Sequence, residues 1–450
     1  MNTVLTTEDT RDVLARLAAA NRRIAEIYPG DRLDRQPVHT VYGGAHLFAA
    51  DLAPKMSAAA TRVFDEYAVD PIMLAGAVGL GGDAAFHRTV WERVRDKLAR
   101  EAVEDFRIDF EDGYGVRPDA EEDAQAVADA EAVAQGLAAG TLPPALGIRI
   151  KPLTEELRAR SLRTLDLFVA TLARATQGRI PPNFVVTLPK ITTPEQVAGL
   201  VDVLERLERA LKLAAPIPIE LMIETTQSVI APDGHVAMPA LIAAGRGRVR
   251  GAHFGTYDYT ASCNITARHQ QPQHPACDFA RHLMQVTLAG TGVTISDGAT
   301  TIMPVGPHKA PAGGRLTPLQ FEENMRAVHD AWRVHFDDVR SSLMHAYYQG
   351  WDLHPAQFVT RYAAVFSFFL EARDEAAARL RAFVDKAAQA TLLGSVFDDA
   401  ATGQGLLNFF LRGLSCGALT EAEALASGLT LEELRGRSFV KMLAGRRGKA

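Results

Sequence analysis

Residues 106–112 have the sequence FRIDFED, in which apolar and charged side chains alternate before the segment ends in acids. Such alternation, with aromatic and β-branched residues at the apolar positions, predicts a β-strand. Asp109, Glu111 and Asp112 stand at its carboxyl end. The segment therefore predicts a strand that brings three acids to one edge of a sheet.

Seven further strand-like segments surround this one, and stretches rich in Ala, Leu and Arg separate most of them. They are VHTVYG (38–43), LGIRIKP (146–152), FVVTLPK (184–190), IELMIET (219–225), RGAHFGT (250–256), TISDGATTIM (294–303) and LMHAYYQGW (343–351). Short strands that alternate with helical stretches indicate repeated βα units around a parallel sheet. Eight such units predict an α/β fold, a (β/α)8 TIM barrel.

The chain is longer than such a barrel needs, since it has 450 residues and a typical barrel has about 250. We expect an N-terminal helical extension over residues 1–35 and a TIM barrel that carries a metal site over 36–360. Residues 361–450 read as a C-terminal helical domain, which is a possible lid for the barrel.

The composition excludes several classes of protein. With 47% hydrophobic residues and a net charge of −6, the chain is neither disordered nor basic enough to indicate a nucleic-acid partner. The three cysteines form no disulfide framework or zinc motif, and the N-terminal sequence lacks the apolar core of a signal peptide. No apolar run reaches the ~18 residues of a membrane span. We therefore expect a cytoplasmic protein that acts on a small molecule.

Charged side chains recur at the predicted strand ends. Besides the three acids of FRIDFED, they are Arg149 and Lys151, Lys190, Glu224 and Asp258. In a βα barrel, side chains at these ends face one common mouth. Carboxylates without Cys or paired His suit Mg²⁺ or Mn²⁺ better than zinc. The alternative is that each acid forms an ordinary ion pair with Arg149 or Lys190.

Six motifs in order carry a resemblance to a known family. They are IDFEDGYG, IRIKP, LPKI, MIETTQSV, HFGTYDYTAS and QGWDLHPAQ, which together span roughly residues 105–357. The sequence resembles the family of the citrate lyase beta subunit and malyl-CoA lyase, which is aldolase-like and belongs to the phosphoenolpyruvate/pyruvate barrel superfamily. The N-terminal extension, the long segment 44–105 and the C-terminal region make it a divergent, enlarged member.

The resemblance implies roles for individual residues. It makes Glu224 and Asp258 the Mg²⁺ ligands and Arg149 the clamp for a substrate carboxylate or carbonyl, which a planar guanidinium binds in bidentate fashion. It places Glu111 and Asp112 beside the metal-bound waters, where Asp112 would move a proton through water.

Two further expectations follow from the resemblance. Backbone N–H groups near Gly255 and Thr256 would complete a nest for the substrate carboxylate. In GSVFDDAATGQ, Asp398 matches an acid that reaches the site of a neighbouring subunit as general base, which implies a homo-oligomer. The alternative for Asp398 or Asp399 is a helix N-cap.

The resulting hypothesis is a Mg²⁺-dependent carbon–carbon lyase of the aldolase or Claisen type. Its substrate would be a 2-oxo or hydroxy carboxylic acid or the coenzyme A thioester of one, although the sequence carries no coenzyme A signature. Alternatives are a phosphoenolpyruvate-type phosphotransferase, a Schiff-base aldolase that uses Lys190, and a binding protein without catalysis. Residues 79–84, GLGGDA, also imitate a dinucleotide-binding fingerprint.

Overall fold

The computed structural model describes residues 4–32, 34–311, 313–385, 391–393, 396–398 and 400–436. Its centre is a closed barrel of eight parallel strands in sequential order, which confirms the predicted fold class. The strands are β1 (His39–Gly44), β2 (Asp105–Asp109), β3 (Ala145–Arg149), β4 (Phe184–Leu188), β5 (Ile219–Ile223), β6 (Val249–Phe254), β7 (Thr294–Ala299) and β8 (Gln349–Asp352). A separate antiparallel pair follows, formed by β9 (Thr391–Leu393) and β10 (Val396–Asp398).

Helices connect the strands and surround the barrel. They are α1 (Thr7–Ile27), α2 (Leu52–Tyr67), α3 (Pro71–Val78), α4 (Ala84–Glu101), α5 (Asp119–Ala139), α6 (Arg158–Ala175), α7 (Pro194–Leu211), α8 (Thr226–Val229), α9 (Met238–Ala244), α10 (Thr256–Ser262), α11 (Pro275–Leu288), α12 (Pro318–Met344), α13 (Phe358–Asp385), α14 (Ala400–Ser415), α15 (Glu421–Leu425) and α16 (Leu431–Arg435). None of the described helices is both long and apolar enough to cross a membrane.

Each of the eight predicted segments overlaps a strand, but the last prediction begins too early. Residues 343 and 344 end helix α12, and strand β8 starts only at Gln349. Of the intervening residues 345–348, Tyr347 packs into the core, where it is buried and its hydroxyl donates to the carbonyl of Arg281. A short apolar run does not distinguish a buried helix end from a strand.

A buried cluster around Asp352 closes the barrel where β8 meets β1. The Asp352 carboxylate accepts hydrogen bonds from His39 Nδ1 at 2.6 Å and from Arg361 Nη2 at 2.7 Å. His335 Nε2 lies 3.1 Å from the same carboxylate. The backbone N–H of Glu104 donates to His39 Nε2, so the ring proton of His39 must sit on Nδ1 and point at Asp352. Three elements thereby meet on one acid at the seam.

The interior of the barrel is polar as well. Arg107 donates to both carboxylate oxygens of Glu220, at 2.7 Å from Nη2, and also binds Asp105. Thr40 donates to the other oxygen of Asp105 at 2.8 Å. Since each buried charge has an opposite charge and further hydrogen bonds, burial leaves none of these groups unpaired.

The C-terminal helices cover the end of the barrel where the strands begin. Arg412 of α14 donates to the Gln36 side chain at 3.1 Å and pairs with Asp31, and Ser415 accepts from the backbone N–H of Gln36. Gln36 directly precedes β1. The predicted lid therefore lies at the end opposite the strand-end acids, and the predicted boundary at 360/361 falls inside helix α13.

The segment 79–84 does not form a dinucleotide-binding turn. The apolar run before it is helix α3 rather than a strand, and Gly79 ends that helix in the left-handed conformation at φ 61°. Asp83 then caps helix α4 by accepting from the Phe86 N–H at 2.8 Å. Gly79 is therefore the C-cap of one helix and Asp83 the N-cap of the next, and the same letters can imitate a fingerprint.

Asp129 on α5 makes a pH-dependent contribution to stability. It is buried, only one of its carboxylate oxygens has a hydrogen-bond partner, Gln125, and burial raises its pKa to about 7. The pKa of an aspartate in the unfolded chain is about 3.9. The folded state therefore binds the proton more tightly, and stability is lost as the pH rises from about 4 through 7.

We predict that Asp129→Asn stabilises the protein by roughly 1–3 kcal/mol at pH 8, because a neutral amide removes the buried charge. The gain should shrink as the pH falls toward 5. Urea unfolding at both pH values measures it, with the exposed Asp65→Asn as control. Equal effects of Asp129→Asn at the two pH values would contradict the assignment.

Candidate functional site

Asp109, the last residue of β2, organises the carboxyl end of the barrel. Its carboxylate accepts from Arg149 Nε at 2.7 Å and from Arg149 Nη2 at 2.5 Å. The same two oxygens accept from the backbone N–H groups of Glu111 at 2.9 Å and Gly113 at 2.7 Å. Asp109 thus fixes both the guanidinium of the next strand and the loop that carries the neighbouring acids.

Arg149, the last residue of β3, turns one edge of its buried guanidinium toward the acids of the loop after β2. Its Nε and Nη2 are held by Asp109, and the opposite edge, formed by Nη1 and the second Nη2 hydrogen, faces the loop after β2. Nη1 lies 3.3 Å from Glu111 Oε2, and Nη2 lies 4.0 Å from Asp112 Oδ2. That edge has the donor geometry for a second carboxylate.

Two aromatic rings hold the guanidinium from the side. Its carbon lies 4.9 Å from the ring centre of Tyr42 and 5.7 Å from that of Trp351. Trp351 in turn donates its indole N–H to His253 Nδ1 at 3.2 Å, and His253 Nε2 lies 3.2 Å from Glu220. Because an indole only donates, His253 must be protonated on Nε2, which connects the aromatic pair to the charged barrel interior.

Glu111 and Asp112 follow Asp109 and share the ammonium group of Lys190. Lys190 Nζ lies 2.5 Å from Glu111 Oε1 and 3.0 Å from Asp112 Oδ2. Burial, assisted by the neighbouring Asp112, raises the pKa of Glu111 to about 7, although Arg149 opposes this. Asp112 is more exposed, and despite partial burial its contacts with Glu111 and Lys190 lower its pKa. A proton shared by this pair therefore sits on Glu111.

Glu224 directly follows β5. It packs so closely against Gly255, at the end of the adjoining strand β6, that no side chain fits at position 255. A Cβ atom on Gly255 would lie 2.3 Å from Glu224 Oε2 and 2.4 Å from its Cβ, so only glycine fits there. Glu224 Oε1 accepts the backbone N–H of Lys190 at 2.7 Å. Lys190 makes this bond at φ 49°, a left-handed conformation that is unfavourable for a lysine. Burial, together with nearby Asp258, raises the pKa of Glu224 to about 7.

Asp258 completes the acidic basin from the first turn of α10. Its side chain is about a third exposed, and its Oδ2 lies 3.5 Å from Lys190 Nζ. We use the name acidic basin for Glu111, Asp112, Glu224 and Asp258. The structure brings all four to the mouth of the barrel, around Lys190 and beside Arg149.

The predicted nest at Gly255 and Thr256 is wrong for Gly255. Its N–H donates to the carbonyl of Ile223 at 3.1 Å, as part of the pairing between strand ends, and is not available to a substrate. The N–H of Thr256 begins helix α10, where no carbonyl of the same helix can accept it. The Thr256 hydroxyl is buried without a hydrogen-bond partner.

The two lysines have different environments. Lys151 Nζ donates to the carbonyls of Phe110 and Gly115 and lies 3.0 Å from Glu122, which makes it part of the barrel wall. Although burial opposes it, the surrounding acids raise the pKa of Lys190 above its ordinary value. A Schiff-base lysine needs a lowered pKa, so the Lys190 aldolase alternative is disfavoured.

Asp398 lies in the β9–β10 hairpin, and its predicted role as a base stays a prediction. It ends strand β10, opposite Thr391 of β9, and its side chain falls outside the part of the structure that is described. Helix α13 starts beyond the carboxyl end of β8 and is about 42 Å long at 1.5 Å per residue. Asp399, the other predicted N-cap, is not among the described residues.

The acidic basin fits a hard divalent cation. No three His, Cys, Asp or Glu side chains form a metal-ligand group within the described ranges. Mg²⁺, however, often takes only one or two protein carboxylates and fills its other positions with water and substrate. Glu224 and Asp258 offer two, and the pKa of Glu224 is raised first by burial and then by the neighbouring Asp258 carboxylate, whose charge a bound cation would offset.

Fold and site define a (β/α)8 barrel protein with an acidic basin at the carboxyl ends of its strands. The chain belongs to the family described as a domain of unknown function, DUF6986, whose profile matches residues 17–442. A search of curated proteins gave no match.

The chain also matches solved structures. A citrate lyase from Burkholderia xenovorans LB400 matches with a TM-score of 0.54 and 19% identity over 87% of this chain and 95% of its own. A malate synthase from Haloferax volcanii matches with a TM-score of 0.46 and 14% identity over 84% of this chain and 90% of its own. At this identity the citrate lyase match establishes the barrel fold.

The buried pair of Asp109 and Arg149 provides a test of how the site is held. We predict that Asp109→Asn costs about 3 kcal/mol of unfolding free energy, because it leaves a buried guanidinium without its counter-charge. Asp112→Asn, at an exposed position of the same loop, should change it by less than about 1 kcal/mol. Urea denaturation measures both. Equal losses would show that Asp109 is not the organising acid.

Proposed function

We propose that this protein is a Mg²⁺- or Mn²⁺-dependent carbon–carbon lyase that acts on a 2-oxo or hydroxy carboxylic acid or its coenzyme A thioester. The observation that carries the proposal is the acidic basin beside Arg149, whose outer edge pairs with Glu111, itself a member of the basin. Together they provide a place for a cation and an adjoining place for an organic acid. The name of the citrate lyase with the same fold is consistent with this chemistry.

Glu224 and Asp258 would hold the cation. Both contribute carboxylate oxygens from neighbouring strand ends, and Gly255 leaves the space that Glu224 occupies. When bound, the cation would supply positive charge to the oxygens of the substrate. Lys190 would withdraw from Asp258, the farthest of the three carboxylates that its ammonium group contacts.

Arg149 would bind the substrate carboxylate or carbonyl through Nη1 and Nη2. Asp109 holds the other edge of the guanidinium, and the Tyr42 and Trp351 rings limit its movement. The guanidinium is thus oriented before a substrate arrives. Fixed donors aimed at a developing negative charge stabilise the transition state more than donors that must first reorient.

Glu111 would take up and release the proton. Its pKa of about 7 allows its carboxylate to accept a proton, and its carboxyl group to return one, near neutral pH. Lys190 Nζ at 2.5 Å stabilises the ionised form. Asp112 remains a second candidate, because it lies on the same loop and is accessible to water.

These parts would account for the cleavage of a hydroxy acid or thioester whose hydroxyl group lies β to a carbonyl, without any further reactant. A base takes the hydroxyl proton, the C–O bond becomes a carbonyl, and the bond between the two carbons breaks. Its electron pair passes to an enolate on the departing half, which Arg149 stabilises. Protonation of that carbon gives the second product, and the reverse sequence is a condensation.

The metal site can be tested without knowing the substrate. We predict that calorimetry detects one Mn²⁺ site per chain and that Glu224→Gln and Asp258→Asn each weaken binding at least tenfold, because each removes one anionic ligand. Glu195→Gln, an exposed acid at the start of α7, should leave the affinity unchanged. Undiminished affinity in Glu224→Gln would remove this residue from the site.

Activity can be tested by a screen. With Mg²⁺ present, 2-hydroxy and 3-hydroxy acids should be offered with and without their thioesters, and released pyruvate, glyoxylate or acetyl-CoA detected. We predict that Arg149→Lys reduces kcat/KM on the cleaved compound at least 100-fold, because lysine keeps the charge but loses the two-donor edge. Arg163→Lys, on the outer face of α6, is the control. Normal metal binding without cleavage of any compound would leave a metal-binding protein and refute the lyase.

A further inference from the structure

His253 lies where the charged interior of the barrel meets the aromatic pair beside Arg149. It is the second-last residue of β6 and is buried, with 1% of its surface exposed. Its Nδ1 accepts the indole N–H of Trp351 at 3.2 Å, and its Nε2 lies 3.2 Å from Glu220 Oε2. Both ring nitrogens are therefore engaged, one on each side of this boundary.

Only one protonation state of His253 satisfies both neighbours. An indole N–H can only donate and an ionised carboxylate can only accept, so the ring must carry its proton on Nε2 and keep a lone pair on Nδ1. A second proton would place an N–H on Nδ1, directly opposite the N–H of Trp351. The contact with Glu220 would survive this change, whereas the contact with Trp351 would not.

Trp351 in turn covers Arg149. Its ring centre lies 4.2 Å from that of Tyr42 and 5.7 Å from the guanidinium carbon of Arg149. An indole has a single polar hydrogen, so the hydrogen bond to His253 sets how the ring of Trp351 is turned. Loss of that bond would free the ring to rotate and would remove one of the two aromatic contacts that hold the guanidinium.

We propose that His253 is a positioning residue for the substrate acid, which holds Trp351 against Arg149 while its ring is neutral and releases it when the ring gains a second proton. This inference rests on the proposed role of Arg149 in binding the substrate. It makes the orientation of the guanidinium depend on one proton inside the barrel. Since imidazole is the side chain whose charge ordinarily changes between pH 5 and 8, acidification is the change that tests it.

The charges around His253 act in both directions. Glu220 from β5 favours a second proton, and although burial opposes this, Arg107 and His253 lower the pKa of Glu220 and keep it ionised. Arg107 from β2 and Arg149 from β3 oppose a further positive charge, and Asp105 pairs with Arg107 from its other side. The remaining neighbours are uncharged, namely Ser296 opposite His253 on β7, Trp351, and Tyr42, whose pKa burial raises. Glu220 is thus the group that would retain a second proton on His253.

The indole N–H of Trp351 reports this contact directly. The chain has three tryptophans, so the ¹⁵N-labelled full-length protein should give three indole signals in an NMR spectrum, of which Trp351→Phe assigns one. As the pH is lowered from 8 to 5.5, the Trp351 signal should shift and its N–H should exchange faster with water. Trp91 and Trp332 are internal controls, because they donate to the carbonyls of Ala68 and Ala356, which do not titrate. A Trp351 signal as constant as theirs would overturn the proposal.

Two substitutions of His253 separate positioning from protonation. His253→Gln offers a carbonyl oxygen to Trp351 and an amide N–H to Glu220 but cannot gain a charge, so its Trp351 signal should match the wild type at pH 8 and stay there at pH 5.5. His253→Met fills the space without an acceptor, so its signal should resemble that of the acidified wild type at both pH values. Glu220 keeps Arg107 in both variants, which leaves no buried charge unpaired. A His253→Met signal equal to that of the wild type at pH 8 would contradict the positioning role.

Ligand binding tests whether the contact matters to Arg149, with pyruvate as the probe and Mn²⁺ present. At pH 8, His253→Gln should bind pyruvate as the wild type does and His253→Met about tenfold more weakly, since a buried donor has lost its acceptor. Acidification affects the basin of the wild type and of His253→Gln alike, so the ratio of their affinities isolates His253 and should rise at pH 6 in favour of His253→Gln. Equal affinities of all three proteins at both pH values would reduce His253 to a structural residue. Absence of pyruvate binding in all three would instead refute the proposed acid site, and the role of His253 with it.

Discussion

The candidate site depends on the ion pair between Asp109 and Arg149. The two residues lie opposite each other in the register of β2 and β3, so the pairing of these two strands brings them together. Asp109 uses its remaining acceptor capacity on the backbone of the following loop, which sets where Glu111 and Asp112 begin. The buried Asp109 carboxylate therefore fixes the Arg149 guanidinium, and it also fixes the start of the loop that carries Glu111 and Asp112. Because both partners are buried, the geometry is protected from competing water and salt.

The barrel below this pair is unusual in how much of its interior is charged. Arg107, Asp105 and Glu220 fill space that aliphatic side chains occupy in many barrels, and His253 extends the chain of contacts to Trp351 beside the site. Such a network is directional, since every donor requires its acceptor in place. It specifies side-chain orientation more strictly than apolar packing does. The polar interior thus acts as a support for the aromatic rings that flank Arg149.

Much of the fold and of the basin could be predicted from the sequence, because both follow from local patterns. The strands alternate or run apolar, and the acids sit directly after them, so the position of Glu224 or Asp258 needed only the strand boundary. What could not be predicted depends on distant contacts. The pairing of Trp351 with His253 joins residues 98 positions apart. The use of the Gly255 N–H within the sheet depends on register, and the location of α14 depends on the length of α13. The dinucleotide-binding interpretation of GLGGDA is wrong because a helix, α3, precedes it and not a strand.

The ammonium group of Lys190 has a consequence for affinity. It already neutralises part of the basin, so a divalent cation of the kind proposed above would bind by displacing it and not by simple addition. The binding free energy would then be the difference between a basin neutralised by Lys190 and a basin neutralised by the cation. The affinity would be weaker than the four carboxylates alone would give. A lysine held in a left-handed backbone conformation has a fixed anchor and a long flexible stem, so it can retreat without disturbing the barrel. The Lys190 ammonium group would then return to the basin and neutralise its carboxylates whenever the divalent cation dissociates.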